Sequence, residues 1–229
     1  MKGAGASGPR LGLRERKKLM TQGAILEAAH AMFAERGFDH VTVAEIADAV
    51  NISPKTVFVY FPAKEDLVFD GEAEMRERLV HRIRSRAPGE TPLEAMGSLL
   101  SELLAAHDPP AVTGLDRLRR IVGDSAVLKA RMRLMWEHFE DALAVVLAEE
   151  ADEDRHAPRP RVAAAQLILV FRLMASQDVL EYVLAHPEPE RPAALDTWLE
   201  LTLRLVADGI ESYAPRSAPV AGEEQARSR

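Results

Sequence analysis

Between Ser53 and Lys64 the chain reads SPKTVFVYFPAK, which places two hydroxyls, two ammonium groups and a phenol within twelve residues and no carboxylate or thiol among them. Such a set donates hydrogen bonds and positive charge. It suits non-covalent capture of anionic oxygens and of base edges, where Lys to guanine is a common specific contact. A second constellation, Glu27-Ala-Ala-His30, has the E-x-x-H spacing of di-iron helical bundles. Those bundles need a matching copy and two further Glu residues on facing helices, and no second E-x-x-H is expected. There is no H-E-x-x-H, no G-x-S-x-G and no phosphate-binding loop, so neither an enzyme nor a cofactor or metal is expected.

The elements that must position these groups are helical. Leu/Ala/Glu/Arg segments dominate and aromatic residues make up only 5% of the 229 residues, so the fold class expected is all-α with about nine helices. Ile25, Ala28, Ala29, Met32 and Phe33 form one apolar stripe on a first helix of about 14–36, stopped by Gly37. Thr42-Val-Ala-Glu45 is a capping box opening a second helix of about 43–50. Ser53 caps a third of about 54–60, with Pro54 at its first position. The two short helices and the Asn51-Ile52 turn have helix-turn-helix proportions. Ala47 allows a close crossing, Asn51 tolerates the left-handed turn, and Ile46, Val50, Ile52 and Val57 can pack inward. Lys55, Thr56 and Val59 then face outward.

A long fourth helix is expected from Lys64 to Arg86, with the Pro88-Gly89 break separating head from body. Further helices are expected from Thr91 to Asp108, near 115–122, over 124–150, over 161–185 and over 193–213. Segments 1–13 and 214–229, rich in Gly, Ala, Ser and Pro, are expected to be a flexible basic arm and a disordered tail.

Charge is unevenly placed. The net charge is −7, yet residues 1–64 hold 9 Lys and Arg against 6 Asp and Glu, while residues 65–229 hold 20 against 30. A mildly basic head on an acidic body is compatible with local phosphate contact. The absence of cysteine excludes disulfides and thiolate metal sites. With no long apolar run and no signal-like N-terminus, no membrane association is expected and the cytoplasm is the expected location.

Thr42, Ile46-Ala47, Asn51, Ile52-Ser53, Phe58, Tyr60-Phe61, Lys64 and Leu67 together resemble the motif of the TetR family of transcriptional regulators, with a detailed match over residues 14–70. The turn residue is more often Gly in that family, and Phe58 stands where a Tyr often supplies a phosphate hydrogen bond. The resemblance implies a DNA-binding domain over 14–64 and a ligand-binding and dimerisation domain over 65–213. It implies phosphate contacts from Thr42, Ser53, Tyr60 and Lys64, and base-edge contacts from Lys55 and Thr56, with Val59 on the same outward face. The basic arm Arg10, Arg14, Arg16, Lys17 and Lys18 would reach flanking phosphate or the minor groove.

For the body, the resemblance implies a small-molecule pocket and a homodimer interface. Met132, Met135, Trp136 and Phe139 share a helix face by spacing. With Leu100, Leu104, Phe171 and Met174 they could close a cavity suited to a mainly apolar effector. His138, Arg172 and Gln177 are polar candidates beside it. The competing reading is a plain bundle core. Trp198, Leu199, Thr202, Leu205, Val206, Gly209 and Tyr213 form the stripe assigned to the dimer. The function expected is a ligand-released dimeric repressor on double-stranded DNA. The alternative is a helical small-molecule-binding or interaction protein that no longer binds DNA.

Overall fold

The structure, a computed structural model, describes residues 12–105, 120–123 and 125–208. Within them are nine α-helices and no strand: α1 (Leu13–Arg36), α2 (Val43–Ala49), α3 (Pro54–Tyr60), α4 (Glu72–Arg84), α5 (Pro92–Ala105), α6 (Ala126–Ala151), α7 (Pro158–Met174), α8 (Gln177–Leu184) and α9 (Arg191–Asp208). Arg10, Gly209, Tyr213, both terminal segments and most of the helix expected near 115–122 lie outside the described residues.

Local chemistry sets the helix ends in the head. Thr42 and Glu45 close the capping box in both directions: Thr42 Oγ1 accepts from Glu45 N, and Thr42 N donates to the Glu45 carboxylate. Ser53 Oγ accepts from Thr56 N at 3.1 Å. Between them Asn51 adopts φ 54°, Ile52 N donates to Ala47 O and Asn51 N donates to Asp48 O. That double pattern is a Schellman stop, and it turns the chain within two residues so that α3 can cross α2. Asn51→Ala should cost about 1 kcal/mol, because a plain Cβ pays the left-handed penalty without the Asn side chain's local hydrogen bonding. Urea denaturation of the two proteins, read as a lower midpoint at unchanged slope, checks this.

Two apolar clusters follow. Ile25, Phe33, Ile46, Ala47, Val57, Phe61 and Leu67 fill the head. The same cluster continues through Phe69 into Ile121, Val122 and Leu128, so the start of α6 packs with the head. Leu79, Ile83, Met96, Leu100, Phe139, Leu143, Ile168, Phe171, Met174 and Leu199 belong to the second cluster, in the body. Gly97 is buried where α5 meets α9, and a Cβ there would stand 2.8 Å from Leu203 Cδ1.

Two boundaries differ from the sequence reading. The fourth helix begins at Glu72 instead of at Lys64, because the intervening residues form a 3-10 turn, Glu65–Leu67, that drives Leu67 and Phe69 into the head cluster. Asp66 Oδ2 accepts from Ala63 N and fixes that turn. Since Leu79 and Ile83 of α4 pack in the body, the seam falls ahead of α4 and not at Pro88-Gly89. The helix expected over 161–185 is two helices, broken where Ser176 caps α8 by accepting from Val179 N.

Candidate nucleic-acid interface

α3 is buried on one side and open on the other. Val57 is buried, Lys55, Phe58 and Val59 are exposed, and Thr56 and Tyr60 are half-buried on the flanks. Thr56 Oγ1 and Ser53 Oγ hydrogen-bond each other at 2.8 Å, which fixes both hydroxyls at the N-terminus of α3. Arg14, Arg16, Lys17 and Lys18 are not on an arm. They lie in the first turns of α1, where Arg16 N donates to Gly12 O, and all four are exposed.

A groove of about 700 Å³ runs between these two helices, lined by Gly12, Arg14, Glu15, Lys17, Lys18, Thr21, Val59 and Tyr60. The structure thus brings three cations of α1 beside the open face of α3. One surface offers charge for phosphates and side chains for base edges, the division of labour that duplex recognition uses.

Two residues assigned to phosphate contact are placed otherwise. Thr42 spends its hydroxyl as well as its N–H on Glu45 (2.8 and 2.7 Å), so it holds the end of α2 and has no free donor of its own. Lys64 turns into the head: its Nζ donates to Phe38 O at 2.5 Å and stands 4.0 Å from the Phe38 ring centroid. Burial lowers the Lys64 pKa from its ordinary value. Lys64 pins the turn after α1 through the Phe38 carbonyl.

Glu45 is held at a pKa of about 2 by the Thr42 N–H, the Arg36 guanidinium and the Thr42 hydroxyl. A depressed carboxyl pKa means stability that is present above the ordinary value near 4.5 and is lost as pH falls through it towards 2. Glu45→Gln should therefore lie below wild type in urea midpoint at about pH 6, with the gap closing by about pH 2–3. A gap that does not change with pH would contradict the assignment.

Residues 25–70 match the sequence profile of bacterial regulatory proteins of the TetR family. That match covers the head and no part of the body. Streptomyces glaucescens TcmR, an HTH-type transcriptional regulator, is 29% identical over 172 residues, spanning 72% of this chain and 76% of that protein. Among solved structures, Pseudomonas aeruginosa NalD, the secondary repressor of the MexAB-OprM multidrug efflux pump, is similar with a TM-score of 0.54 and 22% identity, over 81% of this chain and 96% of that one. Bacillus subtilis FadR in complex with stearoyl-CoA has a TM-score of 0.51 and 19% identity, over 82% and 98%. These two likenesses show a shared all-α fold.

In the body, Leu100, Phe139, Phe171 and Met174 are buried in one cluster, with Leu104, Met135 and Trp136 packed against it. Met132 packs on the head cluster instead, because it lies one turn from Leu128 at the seam. The polar candidates stand outside that core. Arg172 is exposed near Glu140, and Gln177 bonds the exposed Glu181. His138 Nδ1 donates to Glu72 Oε1 at 2.8 Å.

Glu72 is the residue sequence reasoning missed. It opens α4 at the seam and receives both His138 and Arg131 from α6. Arg131 also lies over the Phe69 ring at 5.4 Å. Burial alone would raise the Glu72 pKa, but the hydrogen bonds from His138 and Arg131 bring it below the ordinary value. Ser125 Oγ donates to Asp39 Oδ1 at 3.0 Å and ties the start of α6 to the head a second time.

The E-x-x-H candidates have structural partners. His30 Nε2 donates to Leu67 O at 2.8 Å. The spacing recurs at Glu153–His156, but in the link between α6 and α7, where Glu153 pairs with Arg159.

The residues assigned to the dimer stripe divide between the protomer's core and its surface. Leu199 and Thr202 are buried within the protomer, and Trp198 and Val206 pack partly against the body cluster. Of the described residues assigned to that stripe, only Leu205 is exposed, at 44%. Leu201 at 48% lies one turn from it, and Val162 and Leu169 of the adjacent α7 are exposed at 57% and 40%. Helix α9 thus carries two apolar faces, one for its own core and one left open.

Proposed function

We propose that the protein is a homodimeric repressor that holds a near-palindromic operator and leaves it when a mainly apolar small molecule binds in the body. The observation that carries the reading is the single surface formed by α3 and the first turns of α1. There Val59 and Tyr60 of α3 stand beside Arg14, Lys17 and Lys18, while Lys55 and the Ser53–Thr56 hydroxyl pair lie at the N-terminal end of the same helix. The head, α1 to the turn ahead of α4, serves as the DNA-binding unit and the body that follows as the effector-binding and dimerisation unit. The protein works in the cytoplasm, and no described helix is long and apolar enough to cross a membrane.

Val162, Leu169, Leu201 and Leu205 on α7 and α9 pair with their copies about a two-fold axis, the usual closure for a symmetric dimer. Two α3 helices then meet half-sites one duplex turn apart, or a multiple of it, which is why the operator is a near-palindrome. The effector site lies along Leu100, Leu104, Met135, Trp136, Phe139, Phe171 and Met174, where Met and aromatic side chains give an adaptable apolar wall. Trp198 Nε1, buried without a hydrogen-bond partner, is an unspent donor in the same body. The long acyl chain of stearoyl-CoA, held by the Bacillus subtilis neighbour, is of the chemistry this wall suits. Effector binding acts through α4, whose tilt at the Glu72 seam sets the spacing of the two heads, with a coupling typically of about 1–3 kcal/mol.

A salt titration on duplex DNA of arbitrary sequence tests the surface without knowledge of the operator. Wild type should lose affinity linearly in log–log form. Arg14→Gln/Lys17→Gln/Lys18→Gln should show a slope shallower by about 0.9 for each phosphate that is no longer neutralised. An unchanged slope would remove α1 from the interface.

A further inference from the structure

The open face of α3 is unusual in what it exposes. Lys55, Phe58 and Val59 stand at i, i+3 and i+4 and therefore share that face. Val59 is 75% exposed and Phe58 47%, while Val57, on the opposite side, is 1% exposed. Two large apolar side chains thus flank the one charged group of the recognition helix. No described part of the chain covers them, and Val59 lines the groove with Arg14, Lys17 and Lys18. The cations beside it name the occupant as a polyanion. In the major groove of a duplex, the apolar group that such side chains can meet is the C5-methyl of thymine.

We propose that Phe58 and Val59 read thymine methyl groups, so that each operator half-site carries thymine within one or two base steps of the guanine met by Lys55. Side chains one helical turn apart are about 5–6 Å apart, and bases along a strand are spaced by about 3.4 Å, which sets that range. Phe58 has no hydroxyl to give a phosphate, and the same ring, lacking a polar tip, is suited to a methyl contact. The inference rests on the DNA-binding reading and deepens it.

The test uses the full-length protein and duplexes selected from a random pool. Each thymine in the selected half-site is replaced in turn by deoxyuridine, which removes only the methyl group. Affinity should fall about fourfold at the read position, the equivalent of one buried methyl. With both half-sites replaced the fall should be about fifteenfold, the product of the two. The variant Phe58→Ala/Val59→Ala should bind uracil and thymine duplexes alike. Both side chains are exposed, and far-UV circular dichroism confirms that the variant is folded. The wild-type scan stands on its own whatever the variant does. A selected duplex with no thymine near guanine, or one whose affinity no uracil changes, would overturn the inference while leaving DNA binding intact. A pool with no enrichment would instead overturn the DNA-binding reading, and this inference with it.

Discussion

Replacing Leu201 and Leu205 by Glu should yield a folded monomer that no longer retains operator DNA. Both side chains are exposed on α9, at 48% and 44%, so the protomer loses little by their replacement. In the dimer the same positions bring carboxylates against their copies in an apolar interface, and an unpaired charge there is strongly unfavourable. Light scattering should then give 25.2 kDa in place of twice that value. A monomer grips one half-site only. Without the second, intramolecular grip, operator binding should weaken by about 10²–10⁴-fold. The control is Thr202, buried within the protomer at 8% exposure. Thr202→Glu should destabilise the fold itself. A Leu201→Glu/Leu205→Glu protein that remains dimeric would move the interface to another face.

The second large effect separates two phenylalanines, Phe33 in the head core and Phe58 on the open face. Phe33 is 1% exposed, its ring lies 5.1 Å from Phe38, and the Lys64 ammonium stands 5.7 Å from it. Phe33→Ala should cost about 3–5 kcal/mol, the usual loss for an aromatic ring removed from a packed core. For a chain of this size each kcal/mol lowers Tm by about 2–4 °C, so a drop of about 6–20 °C is expected in a calorimetric scan. Phe58→Ala should change Tm by less than about 2 °C, since exposed positions move stability within about 0.5 kcal/mol. Equal losses from the two variants would mean that Phe58 is a packing residue and has no part in reading DNA.

The features legible in the sequence were those whose causes are local. The capping box of Thr42 and Glu45, the Ser53 cap and the left-handed Asn51 each involve near neighbours in the chain, and the structure has all three. The outward set Lys55 and Val59 also follows from helical period alone. Long-range choices were not legible. Lys64 has a flexible stem and two possible directions, and only the fold places Phe38 O within its reach. Glu72 and Arg131 are separated by 59 residues, so their pairing depends on how α4 lies on α6. The α9 stripe misled for a definite reason. A helix with apolar residues on a buried side and on an exposed side shows two apolar periodicities, and Trp198, Leu199 and Thr202 gave the stronger one. Residues 65–71 read as helix because their hydrophobic spacing fits one, yet Leu67 and Phe69 are both needed in the head cluster, which a helix continuing into α4 would not allow.

Sequence-specific binding of duplex DNA is the task assigned to the open face of α3. Selection from a random duplex pool by the purified protein at about 0.1 M salt tests it most directly, because phosphate-driven affinity depends steeply on salt. The account predicts enrichment of a near-palindrome with two half-sites one duplex turn apart, or a multiple of it, and loss of that enrichment in Lys55→Ala/Thr56→Ala. A folded, dimeric, effector-free protein that enriches no sequence, or whose enrichment survives those two substitutions, would contradict it.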